Sequence, residues 1–189
     1  MADYQEDIDQ CLYVLNAGGV ILYPTDTVWG LGCDATNANA VSKIFSIKKR
    51  SEAKSLIVLL ANMQELTKYT GQDILPIELF LNQTSDPVTV IYEGAKNLAS
   101  NAIHQDGTVG IRITKDPFCQ DLIKAFGKPI VSTSANLSGN TTPAIFAEVE
   151  ESIKKQVDYA VKYRQGENTR NQPSRIVKLS GTGELIFLR

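Results

Sequence analysis

Four stretches set chemically able side chains directly beside apolar runs. Residues 23–32 read Tyr-Pro-Thr-Asp-Thr-Val-Trp-Gly-Leu-Gly, so hydroxyls and a carboxylate follow an apolar run and lead into an aromatic and glycines. The same residue types also build an ordinary capped turn, and both readings stand for this stretch alone. Lys48, Lys49, Arg50 and Lys54 precede the apolar run 56–60. Cations fixed at a strand mouth can clamp phosphates, arginine with a two-pronged grip. Cations in a last helical turn also simply complement the helix dipole. Arg112 interrupts the apolar run 109–113. Alternation sets it opposite Ile111 and Ile113, where it either meets an anion on a buried face or points outward from a half-exposed one. Residues 129–139 run from Pro-Ile-Val into Ser-Thr-Ser-Ala-Asn-Leu-Ser-Gly, with Thr141 and Thr142 beyond. Such a loop offers amides and short hydroxyls to oxyanions, or serves as a Ser/Thr-rich turn.

Other chemistries are argued against by composition. Cys11, Cys33 and Cys119 are widely spaced with no CxxC, which speaks against a disulfide framework or a zinc ribbon. His104 is the sole histidine, and it reads as a surface or loop residue rather than a base or metal ligand. A net charge of −2 does not suit a general polyanion binder, so any phosphate chemistry must come from local clusters. Gly127-Lys128 lacks the spacing of a phosphate-binding P-loop, and Gly181-Thr182-Gly183 is no dinucleotide fingerprint. No apolar run has the roughly 18 residues that span a bilayer, and the acidic start reads as no targeting signal, so a cytoplasmic protein is expected.

The elements that would position these groups follow from periodicity. Ile8, Cys11, Leu12 and Leu15 mark a helix stopped at Gly18-Gly19. Residues 20–23 read as a strand, 39–48 as a helix and 56–60 as a strand buried on both sides. A helical pair is expected over 63–70 and 74–82, and strands over 88–91 and 109–113. Asp116-Pro117 caps a helix running to Phe126 and Gly127. Beyond it come a strand at 130–133, a helix at 146–155 and strands at 157–161, 176–179 and 185–188, with a hairpin turn at 180–183. Residues 163–173 are polar and read as a mobile loop. Interleaved strands and helices over 1–189 predict one α/β (α+β) domain around a mixed sheet.

Taken in order along nearly the whole chain, the stretches resemble the YrdC/TsaC family. PTDTVWGL is similar to the family's PT(D/E)TxYGL, Lys48-x-Arg50 to its KxR and Ser134-Ala135-Asn136 to its SxN. Asp86-Pro87-Val88-Thr89-Val90-Ile91, Val109-Gly110-Ile111-Arg112, Pro173-Ser174-Arg175-Ile176-Val177 and Leu188-Arg189 resemble further family stretches. The resemblance implies a twisted mixed sheet with flanking helices around a large concave cavity. It implies that L-threonine, bicarbonate and ATP with Mg²⁺ give threonylcarbamoyl-AMP and pyrophosphate, the product passing to the transferase that forms t6A in tRNA. By position, Thr27, Ser132 and Ser174 would touch threonine and Arg112 a carboxylate or phosphate near it. Lys48 and Arg50 would be the catalytic cations. Arg50, Lys54, Thr108, Ser134, Asn136, Thr142 and Arg189 would line the ATP side.

The sequence departs from the family pattern in places. Trp29 stands for a tyrosine, Ser51, Ser55 and Thr114 for prolines, and Arg175 for a threonine. Leu59 stands where some longer relatives carry a histidine near threonine, and the extra C-terminal domain of those relatives is not expected here. The chemistry agrees with the resemblance. Adenylyl transfer needs positioning and cations on a triphosphate more than acid–base groups, which suits Lys, Arg, Ser, Thr and Asn. Mg²⁺ would ride on the phosphates, with few protein ligands and none identified in the sequence. Two rivals remain at this level. One is an RNA-binding module contacting double-stranded RNA or tRNA, which the acidic net charge and the lack of an RNA-binding signature disfavour. The other is a paralogue using a different small substrate.

Overall fold

Ile8, Cys11 and Leu15 share one face of α1 (Gln5–Asn16), as their spacing requires. The computed structural model describes residues 3–51, 56–71, 75–179 and 185–188. Its strands are β1 (Ile21–Tyr23), β2 (Gly30–Asp34), β3 (Ile57–Leu60), β4 (Val88–Tyr92), β5 (Val109–Ile113), β6 (Ile130–Ser134), β7 (Tyr159–Ala160), β8 (Arg175–Leu179) and β9 (Leu185–Phe187). They form one mixed sheet in the order β7-β1-β2-β6-β3-β5-β4-β8-β9. The other helices are α2 (Ala38–Lys48), α3 (Leu66–Tyr69), α4 (Leu75–Gln83), α5 (Pro117–Phe126) and α6 (Glu151–Lys154).

Strand alternation gives the sheet two faces with different fates. On one, Leu22, Leu31, Val58, Leu60, Val90, Ile111 and Val131 pack with Val41, Ile44 and Phe45 of α2. On the other, Ile21, Tyr23, Leu59 and Ile130 are covered by α1 and by Phe118, Leu122 and Ile123 of α5. That cover stops short of the β4–β5–β8 region. There Thr89, Ile91, Gly110, Arg112 and Ile176 line a cavity instead. The cavity is therefore the part of the second face that the helices leave open.

Local signals explain the helix ends. Asn37 accepts from the amides of Asn39 and Ala40, and Asp116 from that of Cys119, each satisfying a first-turn donor. Gly127 closes α5 at φ +71, a conformation glycine adopts without a Cβ penalty.

Three elements differ from the sequence reading. The sequence reading places no strand at β2, which begins inside the stretch 23–32 and runs beyond it, because Gly30 and Gly32 mask its β character. A Cβ at Gly32 would lie 2.7 Å from a Tyr23 ring carbon and 3.1 Å from the Val131 carbonyl oxygen. These glycines let the buried Tyr23 ring lie against the strand, a tertiary requirement. The expected helix over 146–155 breaks into a 3₁₀ turn, Phe146–Glu148, and α6, because Val149 and Glu150 have extended ψ values of 126° and 136°. Val149 is buried, and its packing overrides helical continuity. The strand expected over 157–161 shortens to β7, paired parallel to β1. The hairpin turn at 180–183 lies outside the described residues, as do Lys54, Ser55 and Arg189.

Candidate active site

The cavity has a volume of about 260 Å³. Register defines its two ends. Ile57 pairs with both Gly110 and Ser132, so the starts of β3 and β5 meet the end of β6. Arg50, Leu56, Thr108, Ser134 and Thr142 line the cavity toward that end. Arg112 lies two residues further along β5, opposite Leu59. It lines the cavity together with Thr27 and Ser174, while Ser132, level with Gly110, lies between the two ends. Eight of the residues singled out from the sequence are thus brought to one cavity from five separate segments.

At the second end, Arg112 is 3% exposed and pairs with Asp26 through Nη2 at 3.1 Å. Its Nε is buried and has no hydrogen-bond partner among the described residues. A buried guanidinium N–H without an acceptor is costly, and an incoming anion would satisfy it. Asp26 also accepts, at long range, from the Lys115 amide and the Thr114 hydroxyl. Beside it, the Thr25 hydroxyl accepts from the Thr27 amide at 3.0 Å, shares a 2.9 Å hydrogen bond with the Thr27 hydroxyl and donates to the Val28 carbonyl. This hydroxyl-centred turn fixes Thr27 at the cavity wall. Across the cavity the Ser174 and Thr89 hydroxyls lie 2.8 Å apart.

At the first end, α2 terminates with Lys49 in the left-handed region at φ 48, and the Arg50 amide donates back to the Phe45 carbonyl at 3.0 Å. That turn brings Arg50 to the cavity, and burial lowers its guanidinium below its ordinary pKa. Lys48, expected as a catalytic cation, and Asn136, expected on the ATP side, are not among the lining residues. Lys48 is 1% exposed. Its ammonium donates to the carbonyls of Ser134 and, at 2.7 Å, Asn136. The Asn136 side chain donates to the carbonyls of Leu137 and Asn140. Both residues brace the loop that carries Ser134. Burial first, and then the charge of Arg50, pull Lys48 down to about 8.

The departures also have places. Thr114 donates its amide to the Leu60 carbonyl at 3.1 Å, a bond that proline could not make. Leu59 is fully buried under α5 and is not a lining residue. Arg175 pairs with Asp86 at 3.1 Å on the outer surface. Trp29 packs on Phe146, with ring centroids 4.8 Å apart. The polar segment 163–173 is tied down by Arg164 to Asp116 at 2.6 Å and by Arg170 to Glu148 at 2.5 Å.

Sequence reasoning missed His104, which lines the cavity beside Thr108. Its Nδ1 lies 2.8 Å from Asp106 Oδ1. The signal was the carboxylate two residues on, within a tight turn leading into a strand. Among the described residues, no group of three or more His, Cys, Asp or Glu side chains converges as a metal site. No described helix is long and apolar enough to cross a membrane.

The model of the Sua5/YciO/YrdC family, described as "Telomere recombination", matches residues 13–189. A threonylcarbamoyl-AMP synthase of Pseudoalteromonas translucida is 38% identical over 175 residues, covering 91% of this chain and 92% of that protein. The crystal structure of E. coli YciO superposes with a TM-score of 0.83 at 28% identity, over 98% of this chain and 89% of that one. A P. abyssi Sua5 structure complexed with L-threonine gives a TM-score of 0.85 over 97% of this chain. At 23% identity that likeness shows the fold alone, and the chain spans about half of the Sua5 length, 54%.

Proposed function

Since the chain belongs to the Sua5/YciO/YrdC family, we propose that it is an L-threonylcarbamoyladenylate synthase. The observation that carries the reading is the buried Arg112 on the cavity wall, with its Nε unsatisfied, at the opposite end from Arg50. Two cationic ends joined by hydroxyl-lined walls suit a small amino acid at one and a nucleotide triphosphate at the other.

In this reading Arg112, oriented by Asp26, holds the threonine carboxylate, while Thr27, Ser132 and Ser174 meet the remaining polar groups. The amine takes up bicarbonate with loss of water, giving a carbamate. A carbamate oxygen then attacks the α-phosphorus of ATP. The new P–O bond forms as the bond to the β-phosphate oxygen breaks, so pyrophosphate leaves. Arg50 neutralises charge on the phosphates through its fork. Thr108, Ser134 and Thr142 orient them, and Lys48 holds the Ser134 loop in place. Mg²⁺ would arrive on the triphosphate as part of the substrate. The product would feed t6A formation on tRNA in the cytoplasm.

The test is pyrophosphate release from ATP and Mg²⁺, with threonine and bicarbonate supplied together or singly. Release that requires both supports the reading. Release with neither, or a different amino acid in place of threonine, would point to the paralogue with another substrate.

A further inference from the structure

We propose that His104 is a phosphate-contacting residue at the nucleotide end, with Asp106 as its positioning residue; this rests on the cavity being the adenylate-forming site. The ring is held by a built arrangement. The His104 amide donates to the Thr108 carbonyl and the Gly107 amide to the His104 carbonyl, both at 2.9 Å. Gly107 sits at φ +80, so the turn that folds His104 back over Thr108 needs glycine. Asp106 Oδ1 accepts from the Thr108 hydroxyl at 2.6 Å, from its amide at 3.0 Å, and lies 2.8 Å from His104 Nδ1. The bonds from Thr108, then the one from His104, hold the Asp106 carboxyl well below the usual carboxylate range.

An aspartate that accepts a hydrogen bond from Nδ1–H fixes the orientation of the ring and leaves Nε2 for something else. No further hydrogen bond to the His104 ring exists among the described residues, and its side chain is 35% exposed on the cavity wall. The register argues for phosphate rather than for the amino acid. His104 and Thr108 flank the start of β5, the end served by Arg50 and Ser134, whereas Arg112 lies further along the strand. A phosphate oxygen is an acceptor, so in the proposed contact Nε2 donates to it.

The experiment is isothermal titration of the full chain with ATP, GTP, inorganic tripolyphosphate and L-threonine. The variants are His104→Ala, His104→Arg and Asp106→Asn. His104→Ala should weaken the three phosphate ligands by a common factor of roughly 3- to 10-fold, the range of one hydrogen bond, and leave threonine binding unchanged. His104→Arg should recover tripolyphosphate binding, and Asp106→Asn should fall in between. A loss confined to ATP puts the ring on the base and overturns the proposal. Equal binding by native chain and His104→Ala overturns it while leaving the adenylate reading intact. A native chain that binds no ATP sinks both.

Discussion

Replacing Lys48 by methionine separates a bracing role from a catalytic one. The ammonium is 1% exposed and donates to the carbonyls of Ser134 and Asn136. Methionine matches its length but leaves both carbonyls without that donor. An unsatisfied buried acceptor costs about 1–3 kcal/mol, partly offset here by no longer burying a charge. A net loss of about 1–3 kcal/mol lowers the melting temperature by roughly 2–12 °C for a chain of this size. Burial also depresses the Lys48 pKa from 10.5 to about 8. Between those values the unfolded chain binds the proton and the folded chain does not. Stability from this group therefore rises with pH through that window, by at most about 1.4 kcal/mol per unit. Cys11 and Cys33, pushed up by burial, work the other way above pH 9, where their unfolded thiols ionise. The informative range is thus pH 7.5 to 9, with thermal melts of both proteins compared. The native chain should gain stability across it, and Lys48→Met should lose that gain. The reasoning is refuted if Lys48→Met melts like the native chain at every pH while pyrophosphate release collapses, since Lys48 would then act on substrate.

Other outcomes follow from the same geometry. Arg50→Ala should cut threonine-dependent pyrophosphate release by roughly 10- to 150-fold, the worth of a charged hydrogen bond made in the transition state, with Arg50→Lys recovering part of it. Unchanged rates would make Arg50 a surface charge, and a parallel fall in melting temperature would make it structural. Arg112→Lys keeps a cation near Asp26 but not the fork, so the KM for threonine should rise about tenfold or more with the nucleotide KM little changed. The chain should favour threonine over serine only moderately, roughly 10–200-fold for one methyl, and reject valine more strongly if the hydroxyl meets Thr27, Ser132 or Ser174. Competing-substrate turnover checks this, and equal use of threonine and valine would exclude such a pocket. Gly32→Ala places a carbon 2.7 Å from the Tyr23 ring, and overpacking of this kind costs about 1–3 kcal/mol, readable by denaturant melts.

Patterns within a segment were legible in the sequence. The amphipathic spacing of α1, the Asp116-Pro117 cap and Gly127 stop of α5, and the apolar runs of β3, β5 and β6 depend on neighbours along the chain, and they stand where periodicity set them. So were the residue types that line the cavity, since hydroxyls and cations stand directly beside apolar runs. What depended on distant partners was hidden. β2 went unread because its glycines answer to Tyr23 and Val131. Arg112 could face water or cavity until α1 and α5 were seen to cover the β1–β6–β3 part of that face and no more. Lys48 and Arg50 are two residues apart in one basic motif. The left-handed turn at Lys49 sends one ammonium under the Ser134 loop and one guanidinium to the cavity wall. The sequence determined which chemical groups were available. The direction each one faces was decided by packing across the sheet, since burial and hydrogen-bond satisfaction are set by atoms remote along the chain.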